Sequence, residues 1–510
     1  MVYMGVDIGT TGTKAVVFRP DGTVAASAYR EYPLIHPRPG WAELDPWLVW
    51  ESVTEVLRES AGRAREPIQA IAFSALGEAV TPVDAHGEPL DNTLIAMDVR
   101  AERECAWLGE QLGRRVLYEI TGQPLHPMYS LNKILWWKNH KPEVYRKAHK
   151  FLCWQDYAVS RLGCDPVIDY SLASRMFTFD LRQKTWNSRI LETADLSPDR
   201  LPIPRPSGTI IGTVSPSAAR ALGLTAHTRV IAGGFDQPAA ALGAGILTPG
   251  TAVDGLGTVE CITPALDRPV TDDSLLEGNI PCCPHVVEGL YIFMAFNFTG
   301  GNLLRWYRDQ FAHEEKLEAE QTGRDVYDLI IEKALRTETA AMVLPHFLGT
   351  GTPHLDPHSR GAFLGLTLDV TRHQLARAIL EGIGYEMLLN LSLLERAGVS
   401  IGELRATGGG AKSPAWLRMK ANLFGKRITA MKTTEGGCLA MAMQSATACR
   451  EYGSIQEAIG QALRFGETYE PDPEQQAYYQ KRFETYMKIY PRLKELNHEL
   501  AELGQTARNP

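Results

Sequence analysis

Apolar and polar positions along the first hundred residues change rhythm several times. Met4 to Ile8 is a short apolar run, Gly9 to Gly12 interrupts it, and Lys14 to Phe18 resumes it. That pattern predicts two strands joined by a tight turn. Pro20-Asp21-Gly22 marks a hairpin into a third strand, Thr23 to Tyr32. Asp45-Pro46-Trp47 reads as a helix cap with proline at the first helical position, opening a helix to about Ala64. Ile68 to Ser74 predicts a buried strand, and Val80 to Asp84 with His86-Gly87 a further hairpin. Strands and helices that alternate this way make an α/β protein rather than an all-α or all-β one. Near the end, Tyr479, Phe483, Tyr486 and Ile489 fall at helical spacing and read as a packing stripe.

The opening motif recurs. Val6-Asp7-Ile8-Gly9-Thr10 resembles Val253-Asp254-Gly255-Leu256-Gly257-Thr258, about half a chain later. Such spacing points to two copies of one fold. Leu247-Thr248-Pro249-Gly250 is the expected boundary. It divides the chain into residues 1–248, residues 249–453 and a charged helical tail, 454–510. The full length of 510 residues also calls for two large domains.

Composition narrows the function. Net charge is −8, and no basic tract suggests nucleic acid or a membrane surface, so an anionic ligand would need local devices. No leader or long apolar run is visible, and eight cysteines without framework spacing fit a reduced, cytoplasmic protein. The adjacent Cys282 and Cys283, with His285, read as packing. No His-Glu-x-x-His, paired-cysteine or Ser-His-Asp pattern supports a zinc enzyme or a hydrolase.

Five stretches can carry chemistry. Asp7 to Lys14 places Thr10, Thr11 and Thr13 among glycines, which lets backbone N–H groups approach a phosphate while Asp7 holds hydrated Mg²⁺. A plain tight hairpin would need the same residues. Gly257-Thr258 in the repeat could grip the same polyphosphate from the other side. Ile231 to Pro238 ends an apolar strand at Asp236, positioned either as a general base at the strand's C-terminal end or as a helix cap. Gly408-Gly409-Gly410-Ala411-Lys412 leaves room for a flat ligand or forms a simple turn. Glu78, after Gly77, could accept hydrogen bonds from sugar hydroxyls. Asp98 could do so too, or pair with Arg100.

Taken together these segments resemble the FGGY carbohydrate kinases. The most specific part is Gly361-Ala362-Phe363-Leu364-Gly365-Leu366 followed, seven residues on, by Gln374 to Glu381. Met128 to Trp137 resembles the family's N-terminal signature, with Trp137 in place of a smaller residue. The resemblance implies two ribonuclease-H-like domains (the actin, sugar kinase and Hsp70 fold) closing a cleft on ATP and a sugar. It implies Asp236 as catalytic base and Asp7 beside Mg²⁺. Thr10, Thr11, Thr13, Gly257 and Thr258 would lie at the phosphates, and Gly409, Gly410 and Lys412 at adenosine. Gly77, Glu78, Asp98, Asp236 and Gln237 would line the sugar site. A xylulose-like pentulose is the expected acceptor and an aldonate or polyol the alternative. A homodimer is left open. The rivals are a non-catalytic sugar-binding regulator and a chaperone-like ATPase, for which too little chain follows residue 453.

Overall fold

The computed structural model describes residues 1–433 and 435–506. Two mixed sheets of the same design dominate it. The first uses β1 (Val2–Ile8), β2 (Gly12–Phe18) and β3 (Val24–Glu31), then α1 (Pro46–Ala64), β4 (Ile68–Ala75), β5 (Ile210–Thr213) and β6 (Arg229–Phe235), which ends in α2 (Asp236–Gly243). Its strand order is β5-β6-β4-β1-β2-β3. β1 runs antiparallel to β2 and parallel to β4. α1 begins where its cap predicts: the Asp45 carboxylate accepts from the N–H groups of Trp47 (2.9 Å) and Leu48 (3.1 Å). It lays Val49, Val53, Val56 and Leu57 into the core.

The second sheet repeats the plan. β7 (Thr251–Leu256) pairs antiparallel with β8 (Glu260–Leu266), which also meets β9 (Ala295–Asn297). After the long helix α3 (Arg372–Arg396), β10 (Glu403–Thr407) runs parallel to β7. α4 (Pro414–Phe424) then leads into β11 (Arg427–Met431) beside β10. The predicted repeat is therefore present as topology, but its register differs by one residue. Ile8 faces Thr13 across the first hairpin and Leu256 faces Glu260 across the second. Counted from each hairpin, Gly255 and not Asp254 takes the position that Asp7 holds in the first sheet. A one-residue slip turns a side chain to the other face of a strand, and Asp254 is fully buried.

Two features of the end of the chain emerge only in the structure. α5 (Gly436–Ala448) comes late in sequence yet packs on the first sheet, against β1, β4 and α2. Gly5 makes this possible, because a Cβ there would sit 1.8 Å from the Cys438 carbonyl oxygen. The tail is not a purely helical appendage either. β12 (Phe465–Tyr469) extends the second sheet by pairing with β11. The helices α6 (Pro473–Tyr486) and α7 (Ile489–Thr506) follow, with Tyr479, Phe483, Tyr486 and Ile489 buried as their spacing predicts. The tail's own apolar surface needs the second domain as its core. Residues Thr81–Val83 likewise find their ladder partner in Lys150–Leu152, while the His86-Gly87 turn closes only one bridge, Val83 to Pro89.

Candidate functional site

The C-terminal ends of β1, β4 and β6 lie side by side, so Asp7, Ser74 and Asp236 arrive at one edge of the sheet. Ser74 Oγ donates to Asp7 Oδ1 at 2.9 Å. Burial pushes the Asp7 carboxyl's proton affinity up, and the Ser74 bond and Lys14 hold it back. Lys14 itself is paired with Glu435 at 3.0 Å. Asp7, Thr10, Thr11, Lys14 and the start of α5 (Gly436, Gly437, Cys438) line one cavity of about 310 Å³. The thirteen-residue α5 therefore aims its free N–H groups and positive dipole end at the loop.

A second cavity, of about 560 Å³, collects residues far apart in sequence: Gly257 and Thr258 together with Gly409, Gly410 and Lys412. Trp416, Tyr327 and Arg305 also line it. Gly408 has φ +86°, and a Cβ there would stand 2.6 Å from the Leu256 carbonyl oxygen, so glycine lets the two loops touch.

Asp236 is the first residue of α2, with Phe235 in the cap position, and its carboxylate does not cap the helix. The cap reading is thereby set aside. Its Oδ1 is out of reach of solvent and has no hydrogen-bond partner among the described residues. Burial, then the charges of Asp7 and Glu78, push its proton affinity well above the ordinary carboxylate range; the Gln237 N–H and Arg175 oppose them. Gln237 follows on the same turn, half-buried. Glu78 has φ +61° and is 5% exposed. One oxygen, Oε1, accepts from Arg175 Nε and Nη2. Gly77 sits against the Phe235 ring, where a Cβ would come within 2.6 Å of a ring carbon.

Two expected ligands are corrected. Thr13 is fully buried and its hydroxyl donates to the Asp7 carbonyl at 2.9 Å, so it braces the loop and cannot meet a phosphate. On β2 the two-residue period turns it to the face opposite Lys14. Asp98 is fully buried, accepts from Arg100 and from the Ala42 N–H (2.7 Å), and so takes the ion-pair alternative instead of facing a sugar. Sequence reasoning also missed Ser74, Arg175, Gln123 and the Gly436-Gly437 helix start. The glycine pair before an apolar run was the one visible signal; the other three are defined by contacts across the chain. Cys282 and Cys283 are buried, as packing requires.

Residues 2–243 match the N-terminal domain of the FGGY family of carbohydrate kinases, and residues 255–449 match its C-terminal domain. The chain belongs to this family. It is a sugar kinase, an enzyme class that draws its phosphoryl group from ATP and acts on a small sugar. A gluconokinase of Bacillus subtilis is 31% identical to this kinase over 498 residues, 97% of this chain and 95% of that protein. A xylulose kinase of the same organism is 28% identical over 501 residues, 98% of each. Among solved structures, the gluconate kinase from Lactobacillus acidophilus has a TM-score of 0.89 at 27% identity, covering 96% of this kinase and 98% of that chain. The ligand-bound xylulose kinase from Lactobacillus acidophilus also gives 0.89, at 28% identity over 97% and 98%. The two-domain α/β fold is thus that of the FGGY sugar kinases. Among the described residues no helix is long and apolar enough to cross a membrane.

Proposed function

We propose that this kinase transfers the γ-phosphoryl of ATP to a terminal hydroxyl of a five- or six-carbon sugar, with Asp236 as the base. The observation that carries the reading is the unbonded, buried Asp236 Oδ1 at the sheet edge it shares with Asp7. The bond from the sugar oxygen to the γ-phosphorus forms as the bond from that phosphorus to ADP breaks. The hydroxyl proton passes to Asp236. A carboxylate with raised proton affinity suits this task, since a base works best near the ambient pH. Thr10, Thr11 and the α5 N–H groups address the phosphates from one domain, Gly257 and Thr258 from the other, and Gly409, Gly410 and Lys412 receive the adenosine end.

Asp7 fits a Mg²⁺ ion: Glu435 is tied to Lys14, and no cluster of three metal-binding side chains occurs among the described residues. One carboxylate, with phosphate and water oxygens, is the set this ion favours. Bound there, Mg²⁺ would spread the charge of the transferring group. The acceptor in the first reading is a xylulose-like ketose. The 31% identity to a gluconokinase favours an aldonate as the second.

Asp236→Asn is expected to lower kcat by ~10²–10⁴ with sugar KM nearly unchanged. Steady-state ADP release checks this, and a near-normal kcat removes Asp236 from the role.

A further inference from the structure

Glu78 lies in the loop after β4, buried and with φ +61°, a left-handed backbone that residues with side chains disfavour. Such a conformation persists only where its surroundings over-determine it. Two tethers do so. On the side chain, Arg175 donates from Nε and Nη2 to Glu78 Oε1, while its Nη1 donates to Gln123 Oε1. On the main chain, the Glu78 carbonyl accepts from Ser130 Oγ at 3.1 Å and from Lys133 Nζ at 3.0 Å. A carbonyl oxygen has two lone pairs, and both are taken.

Ser130 and Lys133 belong to the first turn of the helix Ser130–His140. Three residues apart, they share one face of it. Lys133 also reaches a second loop: Nζ donates to the Ile95 carbonyl at 2.7 Å, and that carbonyl accepts the Asp98 N–H at 3.0 Å. One amino group thus joins the loop that carries Glu78 to the loop that carries Met97 and Asp98. Lys133 is fully buried, and its hydrogen bonds go to carbonyls rather than to a carboxylate. Burial lowers its proton affinity to about 7, with Glu78 and Asp98 opposing. For packing alone an apolar side chain would fill this volume with no charge to desolvate. What lysine adds is reach and N–H donors, which both of its protonation states supply.

We infer that Ser130 and Lys133 are a positioning pair for the acceptor sugar: they fix the left-handed backbone at Glu78 and so set where the Glu78 carboxylate stands in the sugar site. The inference rests on the reading that the sugar binds beside Glu78 and Asp236. Both residues of the pair are fully buried, so they act through Glu78 and not on the sugar itself.

Steady-state kinetics test this, with the best acceptor from a panel of pentuloses, polyols and aldonates. Ser130→Ala should raise the sugar KM ~3–10-fold, the weight of one hydrogen bond, and Lys133→Met ~10–100-fold, with the KM for ATP unchanged in both. Lys133→Gln, which keeps an N–H donor on a shorter stem, should fall between wild type and Lys133→Met. Where Lys133→Met does not fold, Lys133→Gln and Ser130→Ala carry the test. A merely structural role would move the two KM values together. The second readout is a cycle with Glu78→Gly, because glycine takes positive φ unaided. Glu78→Gly alone should raise the sugar KM, and Ser130→Ala added to it should raise it no further. Equal shifts for sugar and ATP, an unmoved sugar KM in Ser130→Ala, or full additivity with Glu78→Gly overturns the positioning role. An unmoved sugar KM in Glu78→Gly instead overturns the reading that places the sugar at Glu78. Asp236→Asn, read on kcat, tests the base independently of either result.

Discussion

Lys420, on α4, is fully buried beneath the hairpin that carries Gly257 and Thr258, and its ammonium holds both flanks of that hairpin. It pairs with Glu260, the first residue of β8, and with Asp254 Oδ2 at 3.2 Å, two residues before the end of β7. Trp416 and Phe424 wall it in, with ring centres 5.8 and 5.0 Å from Nζ. Burial, reinforced by Asp254 and opposed by Lys420, raises the proton affinity of Glu260.

Lys420→Met keeps most of the stem and deletes the charge. Removing one partner of a buried pair costs ~3–5 kcal/mol. At ~2–4 °C per kcal/mol for a domain of this size, calorimetry should show the melting temperature fall by roughly 6–20 °C. The cost should vary with pH in a fixed direction. Without the ammonium, which holds it down, the already raised proton affinity of Glu260 climbs further, so the stability tied to its proton is lost at a higher pH than in the wild type. The gap to wild type should widen as pH rises through about 8, by at most ~1.4 kcal/mol per unit. Combining Lys420→Met with Asp254→Asn and Glu260→Gln should return most of the loss. A melting point within 2 °C of wild type, or a gap that narrows with rising pH, refutes the reasoning.

Other outcomes follow from single contacts. Ser74→Ala removes the hydroxyl that donates to Asp7, so the acid limb of the kcat/KM profile for ATP should move up by ~1 pH unit; an unmoved limb excludes this role. Thr258→Ala should raise the KM for ATP about tenfold with little change in sugar KM, since one charge-assisted hydrogen bond is worth ~1.5 kcal/mol; equal losses for both ligands count against it. Half-buried His126 and buried His285 both have proton affinities pushed down to about 4, first by desolvation. Their unfolded forms bind protons at higher pH, so the stability they contribute is present above about pH 6.5 and lost as pH falls toward 4. Denaturant titrations across that window should show the decline, and His285→Gln should flatten part of it.

Much of the scaffold was legible locally. Asp45 and Pro46 set the start of α1, glycines marked the two hairpins, and Asp236 stood out at the end of an apolar strand. The FGGY signatures carried the family. These features are written in consecutive residues, where propensity, capping and turn chemistry act over a few bonds. The roles of Thr13 and Asp98 were not, because whether a polar side chain meets ligand or core depends on which strand face and which partner it finds.

By itself, then, the sequence determined a repeated α/β design, two glycine-bearing hairpins and an acid, Asp236, at the end of an apolar strand. Only the tertiary structure decided that α5 crosses to the first sheet, that Asp254 answers to Lys420 rather than mirroring Asp7, and that Arg175 is spent on Glu78 and Gln123. Each of those depends on register or on contacts between residues up to several hundred positions apart, and no local pattern encodes them.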